Sequence, residues 1–134
     1  MDINERTAKD LWKIRHGNKR FVIDFAGRYM CFDDYNDLET LRPVNGSRTQ
    51  TPYNMGWNIH HIKPCAITGN SKQCNLEITN IVTNSDAGCE TTFKTNGETF
   101  QSRRLKGTPV FRIFQISIDP EKCVVDHSDE FVEE

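Results

Sequence analysis

The N-terminal part of the chain combines a helical pattern of apolar residues with two short β-type runs. Apolar positions at helical spacing follow Asn4 and Thr7, either of which can cap a helix, and they stop before Gly17, a residue type that favours helix termination. This pattern predicts a helix over residues 4–16. The runs FVIDF and RYMCF, separated by Ala26-Gly27, then predict a tight β-hairpin.

The central part of the chain reads as a polar loop followed by short β-type segments. Residues 42–56 are rich in Pro, Gly, Ser, Thr and Asn, and they predict a loop. Apolar residues return in short β-type segments at 57–62 and 76–82. Helix signals after these segments are weak, so any helix there is short or begins at Thr83 or Asn84.

The C-terminal half is predicted to contain a second hairpin and a further strand. Asn-Gly at 96–97 lies between alternating runs, which is a strong hairpin signal, and PVFRIFQISI continues the β pattern. With 134 residues, 36% hydrophobic and 27% charged, the chain has the size and composition of one small globular domain. We therefore predict a single α+β domain with an N-terminal helix and hairpin (1–41), a central region (42–90), C-terminal strands (91–118) and an acidic tail (119–134).

The net charge of −2 conceals an uneven distribution. Residues 119–134 contain seven acids and one lysine, a net of −6, which leaves 16 basic and 12 acidic residues, a net of +4, in 1–118. A mildly basic body can hold phosphate groups while the tail stays solvated or contacts a partner. No apolar run approaches the roughly 18 residues of a membrane helix. The N-terminus is charged and lacks a secretory signal, so we expect a cytoplasmic protein without membrane association.

The cysteine content favours reduced thiols that are buried as small hydrophobic residues. There are five cysteines, an odd number without a C-x-x-C pair, whereas structural zinc sites usually bring their ligands in close pairs. Three of them, Cys65, Cys74 and Cys89, lie in the central region. A loose zinc site therefore stays open there as an alternative.

The central region also carries a spaced set of histidines and asparagines. In GWNIHHIKPCAITGNSKQCNLEITNIVTN, which begins at Gly56, the pair His60-His61 precedes Asn75 and Asn84, which follow His61 by 14 and 23 residues. Each residue alone has a structural explanation: a core histidine, a turn residue that bonds loop backbone, or a helix cap. An amide oxygen at position 84 is also a hard, neutral ligand of the kind that magnesium accepts.

Taken together, H-H-I-x-P, a Gly-containing loop, N-L and a further Asn resemble the HNH nuclease family, also called the ββα-metal or His-Me finger family, over about residues 53–90. The resemblance implies a central ββα-metal motif in which His60 is the first metal ligand and Asn84 is the last. It implies that His61 is the general base that activates water against a phosphodiester. It also implies that Asn75 supports the loop and orients that base.

These implied roles suit phosphodiester hydrolysis, which needs an activated water and stabilisation of negative charge on the phosphate. An imidazole titrates near neutrality and can take the proton from water. The implied cofactor is one divalent cation, with Mg²⁺ first and Mn²⁺, Ni²⁺ or Zn²⁺ as alternatives. Three positions depart from the family pattern: Asn70 replaces a loop glycine, Ala87 replaces a lysine, and Gly88 stands where some branches carry another histidine.

The resemblance implies an endonuclease that nicks or cuts double-stranded DNA in a bacterial or phage-infected cell, in the manner of phage and mobile-element enzymes. Its alternative is a catalytically weak or inactive HNH-scaffold protein that binds and modulates a partner protein through its N-terminal region or acidic tail. A zinc-stabilised structural module is the third possibility, and a dimer is compatible with each. The expected DNA contacts are basic side chains of the body: Arg48, Lys63, Lys94, Arg103 and Arg104.

Overall fold

The computed structural model describes residues 1–44, 52–64, 69–104 and 106–131. Over these ranges the chain forms one small α+β domain with two α-helices and several small antiparallel sheets. The predicted fold class is therefore confirmed. Within the same ranges, no helix has the length and apolar character needed to cross a membrane.

The first helix, α1, spans Glu5–His16, as the sequence predicts. Both candidate capping residues take part in one capping box. The Asn4 side chain accepts a hydrogen bond from the Thr7 amide, and the Thr7 hydroxyl accepts one from the Asn4 amide, each at 3.0 Å. Gly17 ends the helix with a φ of 63°, a left-handed value that favours glycine.

The predicted N-terminal hairpin is present but has shorter strands than the two sequence runs. Its strands are β1 (Phe21–Ile23) and β2 (Tyr29–Cys31), and they pair antiparallel. The buried carboxylate of Asp24 accepts hydrogen bonds from the amides of Ala26 and Arg28, both at 2.9 Å. The turn therefore occupies residues that the apolar pattern alone assigns to strands.

The predicted loop over residues 42–56 is flanked by a short two-stranded ladder. Strand β3 (Leu41–Arg42) pairs antiparallel with β4 (Tyr53–Asn54). The loop prediction is therefore wrong at these ends. Residues 45–51, and with them the candidate DNA contact Arg48, lie outside the described part of the chain.

Two antiparallel strands form the centre of the domain. Strand β5 (Trp57–His61) pairs in full register with β6 (Leu76–Asn80), and a short 3₁₀ turn at Gln73–Asn75 leads into β6. In this register His60 lies opposite Glu77. The predicted β-type segments are thus confirmed, with slightly shorter bounds.

The second helix, α2 (Ile81–Ala87), follows β6 directly. Asn80 caps it, because its side-chain oxygen accepts a hydrogen bond from the Val82 amide at 2.9 Å. The expected start at Thr83 or Asn84 is wrong by two to three residues. The reason is that Asn80 both ends the strand and begins the helix, a double role that hydrophobic periodicity does not reveal.

A four-stranded antiparallel sheet completes the fold. Its strands are β7 (Thr92–Thr95), β8 (Glu98–Arg104), β9 (Phe111–Phe114) and β10 (Cys123–Val125), in the order β10-β9-β8-β7. The turn between β7 and β8 is the predicted Asn-Gly turn, in which both residues have positive φ. The C-terminal hairpin and strands are confirmed.

The acidic C-terminal segment belongs to the folded domain as far as residue 131. Besides contributing β10, it pairs Asp126 with Arg112 at 2.8 Å and Glu130 with Arg15 at 3.0 Å. The expectation of a tail that is solvated or free for a partner is therefore wrong for these carboxylates. Their charge is neutralised within the molecule, which the net charge of the segment does not reveal.

Two apolar cores lie on either side of the β5–β6 pair. One joins α1 to the strands and contains Trp12 and Trp57, whose rings are 4.8 Å apart. The other joins α2 to the four-stranded sheet, and Ile62, directly after β5, is completely buried in it. The strand that carries the two histidines is thus fixed from both sides. The second core consists of Ile62, Ala87, Phe93, Phe100, Ile113 and Val125.

The described cysteines are free thiols. Cys31 and Cys74 are buried, as predicted, whereas Cys89 and Cys123 are exposed, which contradicts the prediction for those two. Cys65 lies outside the described ranges.

Candidate functional site

The side chains of His60 and Asn84 meet between β5 and α2. His60 Nδ1 lies 2.7 Å from Asn84 Oδ1, and the imidazole is only 3% exposed. The two residues lie 24 positions apart in the chain and are brought together because α2 folds back directly after β6. The expected convergence of these two side chains is therefore present.

A third residue, Asn58, orients the Asn84 amide. Asn84 Nδ2 donates to Asn58 Oδ1 at 2.9 Å and to the Ile59 carbonyl at 3.3 Å. Because the amide nitrogen has these two acceptors, its oxygen faces His60, and the short contact then places the proton on His60 Nδ1. Asn58 was missed from the sequence. Its signal was the two-residue spacing to His60, which puts both on one face of a strand.

Burial lowers the pKa of His60, although its hydrogen bond to Asn84 and the Glu77 carboxylate act in the opposite direction. The nearby His61 adds to the lowering. The neutral imidazole is the form that binds metal ions, so this environment favours ligand chemistry at neutral pH.

His60 and Asn84 offer an imidazole nitrogen and an amide oxygen, two donor types that a divalent cation accepts. Adjacent ligands in an octahedral site with bonds of about 2.1 Å lie about 3 Å apart, so the hydrogen-bonded atoms Nδ1 and Oδ1, 2.7 Å apart, would separate slightly and turn toward a cation that binds both. Binding at Nδ1 would replace the proton that now joins the two atoms. Among the described residues, no group of three or more His, Cys, Asp and Glu side chains is arranged to hold a metal.

His61 contacts a different partner from its neighbour. Its Nε2 atom lies 3.0 Å from the Ser71 hydroxyl, and the ring is half-buried, which lowers its pKa. Neighbouring residues of a strand point to opposite faces, which explains why His60 and His61 have separate contacts. Ser71 was missed from the sequence, and a serine in a polar loop gives no signal of such a contact.

Asn75 closes the loop that follows β5. Its side-chain oxygen accepts from the Lys63 amide at 2.8 Å, and its amide nitrogen donates to the carbonyls of Asn70 at 2.7 Å and Lys63 at 3.2 Å. Its own carbonyl accepts from the Ile62 amide at 2.9 Å. Asn75 therefore holds the two ends of the loop together. Residues 65–68 of this loop lie outside the described ranges.

Arg15 fixes the backbone on both sides of Asn75. Its guanidinium donates to the carbonyls of Gln73, at 2.8 Å, and Leu76, while it also forms two bonds of 3.0 and 3.1 Å to the Glu130 carboxylate. The side chain is only 6% exposed. Arg15 was missed from the sequence, because contacts 58 and 115 positions away leave no local pattern.

Arg28, in the N-terminal hairpin, fixes the position of α2 through contacts with its side chains. It donates to the hydroxyl of Thr83 at 3.0 Å and to that of Thr95, and it lies 3.6 Å from the Asp86 carboxylate. Thr95 also donates to Asp86 at 2.8 Å. These contacts on either side of position 84 restrict the rotation of the helix that carries the amide.

The basic residues expected to contact DNA are placed differently from one another. Arg104 and Lys94 are exposed, and the half-buried Lys63 lies with its ammonium 5.4 Å from the Phe111 ring. Arg103 instead packs 3.7 Å over the Phe114 ring and donates to the Pro120 carbonyl at 2.6 Å. Arg103 and Arg104 therefore have separate surroundings, because consecutive strand residues point to opposite faces.

Comparison with known proteins gives no further assignment: no family model, no curated protein and no solved structure matches this chain. A function has to be inferred from the geometry around His60, His61, Asn75 and Asn84.

Proposed function

We propose that this protein is a metal-dependent HNH-type endonuclease that hydrolyses phosphodiester bonds of DNA, nicking or cutting double-stranded DNA. The observation that carries the proposal is the 2.7 Å contact between His60 Nδ1 and Asn84 Oδ1 within a strand–strand–helix unit. A buried imidazole and an amide oxygen that face each other, with a second imidazole on the next residue, match what this chemistry requires.

In this proposal His60 and Asn84 hold one divalent cation, with Mg²⁺ as the first candidate. Bound there, it would supply stabilisation of negative charge on the phosphate and on the departing oxygen. His61 accepts the proton of the attacking water, for which its lowered pKa keeps it unprotonated at neutral pH. The Ser71 hydroxyl holds the His61 ring in position through Nε2. Asn75 keeps the loop closed behind them.

DNA is the proposed substrate because phosphodiester hydrolysis is the chemistry proposed for the two histidines, and exposed basic side chains can contact the phosphates of a strand. The exposed side chains of Lys94 and Arg104 and the ammonium of Lys63 are the proposed phosphate contacts. Arg103 is less suited to this role, because it is held by Phe114 and Pro120. Arg48 stays a candidate from the sequence alone.

One observation favours a second candidate, a catalytically weak HNH-scaffold protein that modulates a partner protein. Ala87, at the position of the family lysine, is 1% exposed and packs in the core around Ile62. A phosphate-binding lysine is thus absent at that position. Exposed apolar side chains of the N-terminal hairpin, Phe21 and Ile23, would offer such a partner a contact surface.

The test is nicking of supercoiled plasmid with Mg²⁺ or Mn²⁺, beside an EDTA control. We expect His61→Ala to lower the rate by about 10²–10⁴-fold, the usual contribution of a general base, while DNA binding is retained. Asn84→Ala should raise the metal concentration needed for half-maximal rate by at least about tenfold. Asn18→Ala, at an exposed position outside the site, is the matched control.

Two results would contradict the proposal. If the wild-type protein leaves the plasmid supercoiled with both metals, the partner-modulating function is favoured. If the His61→Ala protein nicks at the wild-type rate, the assigned base is wrong.

A further inference from the structure

A cavity of about 320 Å³ lies beside Asn75, between the loop that follows β5 and the C-terminal sheet. Three basic side chains line it, from three separate segments: Lys63 after β5, Lys72 before the 3₁₀ turn, and Arg104 at the end of β8. The rest of the wall consists of the amide residues Asn70 and Asn75 and of a less polar part with Cys74, Pro109, Val110, Phe111 and Phe131.

The three cations of this cavity differ in their ion pairing from two nearby arginines, Arg103 and Arg112. Arg103 and Arg112 are each neutralised by a carboxylate, Glu121 at 3.4 Å and Asp126 at 2.8 Å. Among the ion pairs of the described residues, none involves a cation of the cavity. Three like charges around one cavity favour an anionic ligand.

The apolar part of the wall indicates that the ligand has an apolar or aromatic group beside its anionic group. Phe111 already has the Lys63 ammonium 5.4 Å from its ring centroid, so cation and aromatic face are adjacent. Phe131 is 36% exposed and Val110 is nearly buried. A bare anion uses the cations and leaves these surfaces unused, whereas a nucleotide presents a phosphate to the cations and a base to the rings.

We propose that this cavity binds one nucleotide of the substrate strand, with its phosphate between the Lys63, Lys72 and Arg104 side chains and its base against the Phe111 and Phe131 rings. This inference rests on the proposed function for the identity of the substrate. Stacking on the rings requires an unpaired base, so the cavity selects single-stranded DNA or a nucleotide that has left the duplex.

The cavity is connected to the candidate catalytic loop through Asn75. Asn75 lines the cavity, its side-chain oxygen accepts the hydrogen bond from the Lys63 amide, and its carbonyl accepts from the Ile62 amide. Ile62 is the residue after His61. A nucleotide in the cavity would therefore set the path of the strand that reaches the two histidines.

The test measures binding of thymidine 5′-monophosphate and of inorganic phosphate by calorimetry or NMR titration, without metal and with a chelator. The double variant Lys72→Gln with Arg104→Gln should weaken thymidine monophosphate binding at least tenfold. The matched control is Arg6→Gln with Lys13→Gln, which removes the same two charge types from exposed positions of α1 and should change binding less than twofold.

The base contact is tested by Phe131→Ala, which removes an exposed ring and spares the core. We expect thymidine monophosphate binding to weaken at least fivefold while phosphate binding stays unchanged. Equal binding of the two probes by the wild type would overturn the nucleotide assignment. Tighter binding of an acidic peptide than of thymidine monophosphate would identify a protein ligand instead and would also overturn it.

Failure of this inference is distinguishable from failure of the proposed function. If the protein nicks DNA in a metal-dependent way but does not bind thymidine monophosphate, the nucleotide site in the cavity is refuted and the nuclease function is retained. If the protein binds the nucleotide through these charges but does not nick DNA, the nucleotide site is supported and the nuclease function is refuted.

Discussion

The contact between Arg15 and Glu130 gives the sharpest stability prediction. The two side chains are 6% and 17% exposed and form two nitrogen–oxygen contacts of 3.0 and 3.1 Å. Arg15 also donates to the carbonyls of Gln73 and Leu76 on either side of Asn75. Replacing it by methionine keeps the aliphatic stem but leaves the Glu130 carboxylate and two carbonyls without this donor, and it removes the cation that lies 3.7 Å from the Glu77 carboxylate.

The expected cost of Arg15→Met follows from this loss. Removing one partner of a buried ion pair costs about 3–5 kcal/mol, and the residual exposure of Glu130 favours the lower end of that range. A loss of about 3 kcal/mol corresponds to a decrease in Tm of roughly 10 °C for a domain of this size. Glu130→Gln should cost less, because the guanidinium retains both carbonyl acceptors.

The assay is a double-mutant cycle by urea unfolding of the wild type, Arg15→Met, Glu130→Gln and the double variant. We expect a coupling free energy of about 1.5–3 kcal/mol, the range for hydrogen bonds between charged groups. The exposed pair of Lys9 and Glu5, 3.5 Å apart on α1, is the matched control and should couple by less than about 0.5 kcal/mol. A coupling for Arg15 and Glu130 as small as that of the control would refute the reasoning.

Two further predictions concern the loop and the histidines. A Cβ at Gly69 would lie 1.8 Å from the Lys63 carbonyl oxygen, so Gly69→Ala should lower the free energy of unfolding by about 1–3 kcal/mol and slow plasmid nicking. Burial lowers the pKa of His16, His60 and His61. The unfolded chain therefore binds more protons as pH falls through about 6.5, and the urea midpoint in chelator should decrease between about pH 7 and 5.

Each of these two predictions has a clear contrary outcome. Gly17→Ala is the control for the loop, because its new methyl group meets nothing within 4 Å and only its left-handed φ is unfavourable. Equal losses at Gly17 and Gly69 would show that the close approach to Lys63 is unimportant. A urea midpoint that is constant or rises on acidification from pH 7 to 5 would contradict the burial effect on the histidines.

Local signals made part of the fold predictable from the sequence. The capping box at Asn4 and the turn at Asn96-Gly97 depend on neighbouring residues, so helix α1 and the second hairpin follow from short stretches. The contact of His60 with Asn84 was also expected, because their spacing is that of a recognisable pattern.

The features of the fold that the sequence did not predict depend on contacts between distant segments. Asn80 caps α2 while its backbone amide bonds the Asp24 carboxylate, 56 positions away, at 3.0 Å. The charge pattern places Glu130 in a solvated tail, yet Arg15 holds it against the central strands. Such pairings satisfy buried polar groups and are set by tertiary packing, which composition and periodicity do not encode.

The burial of Ile62 directly after the histidine strand has a consequence for dynamics. Trp57 and Ile59, at one end of that strand, pack in the first core, whereas Ile62 packs in the second, where the Ser102 hydroxyl also donates to its carbonyl. Opening either core therefore disturbs the same strand. The β5 amide hydrogens that bond to β6 should belong to the slowest-exchanging class in the molecule and be released only by global unfolding.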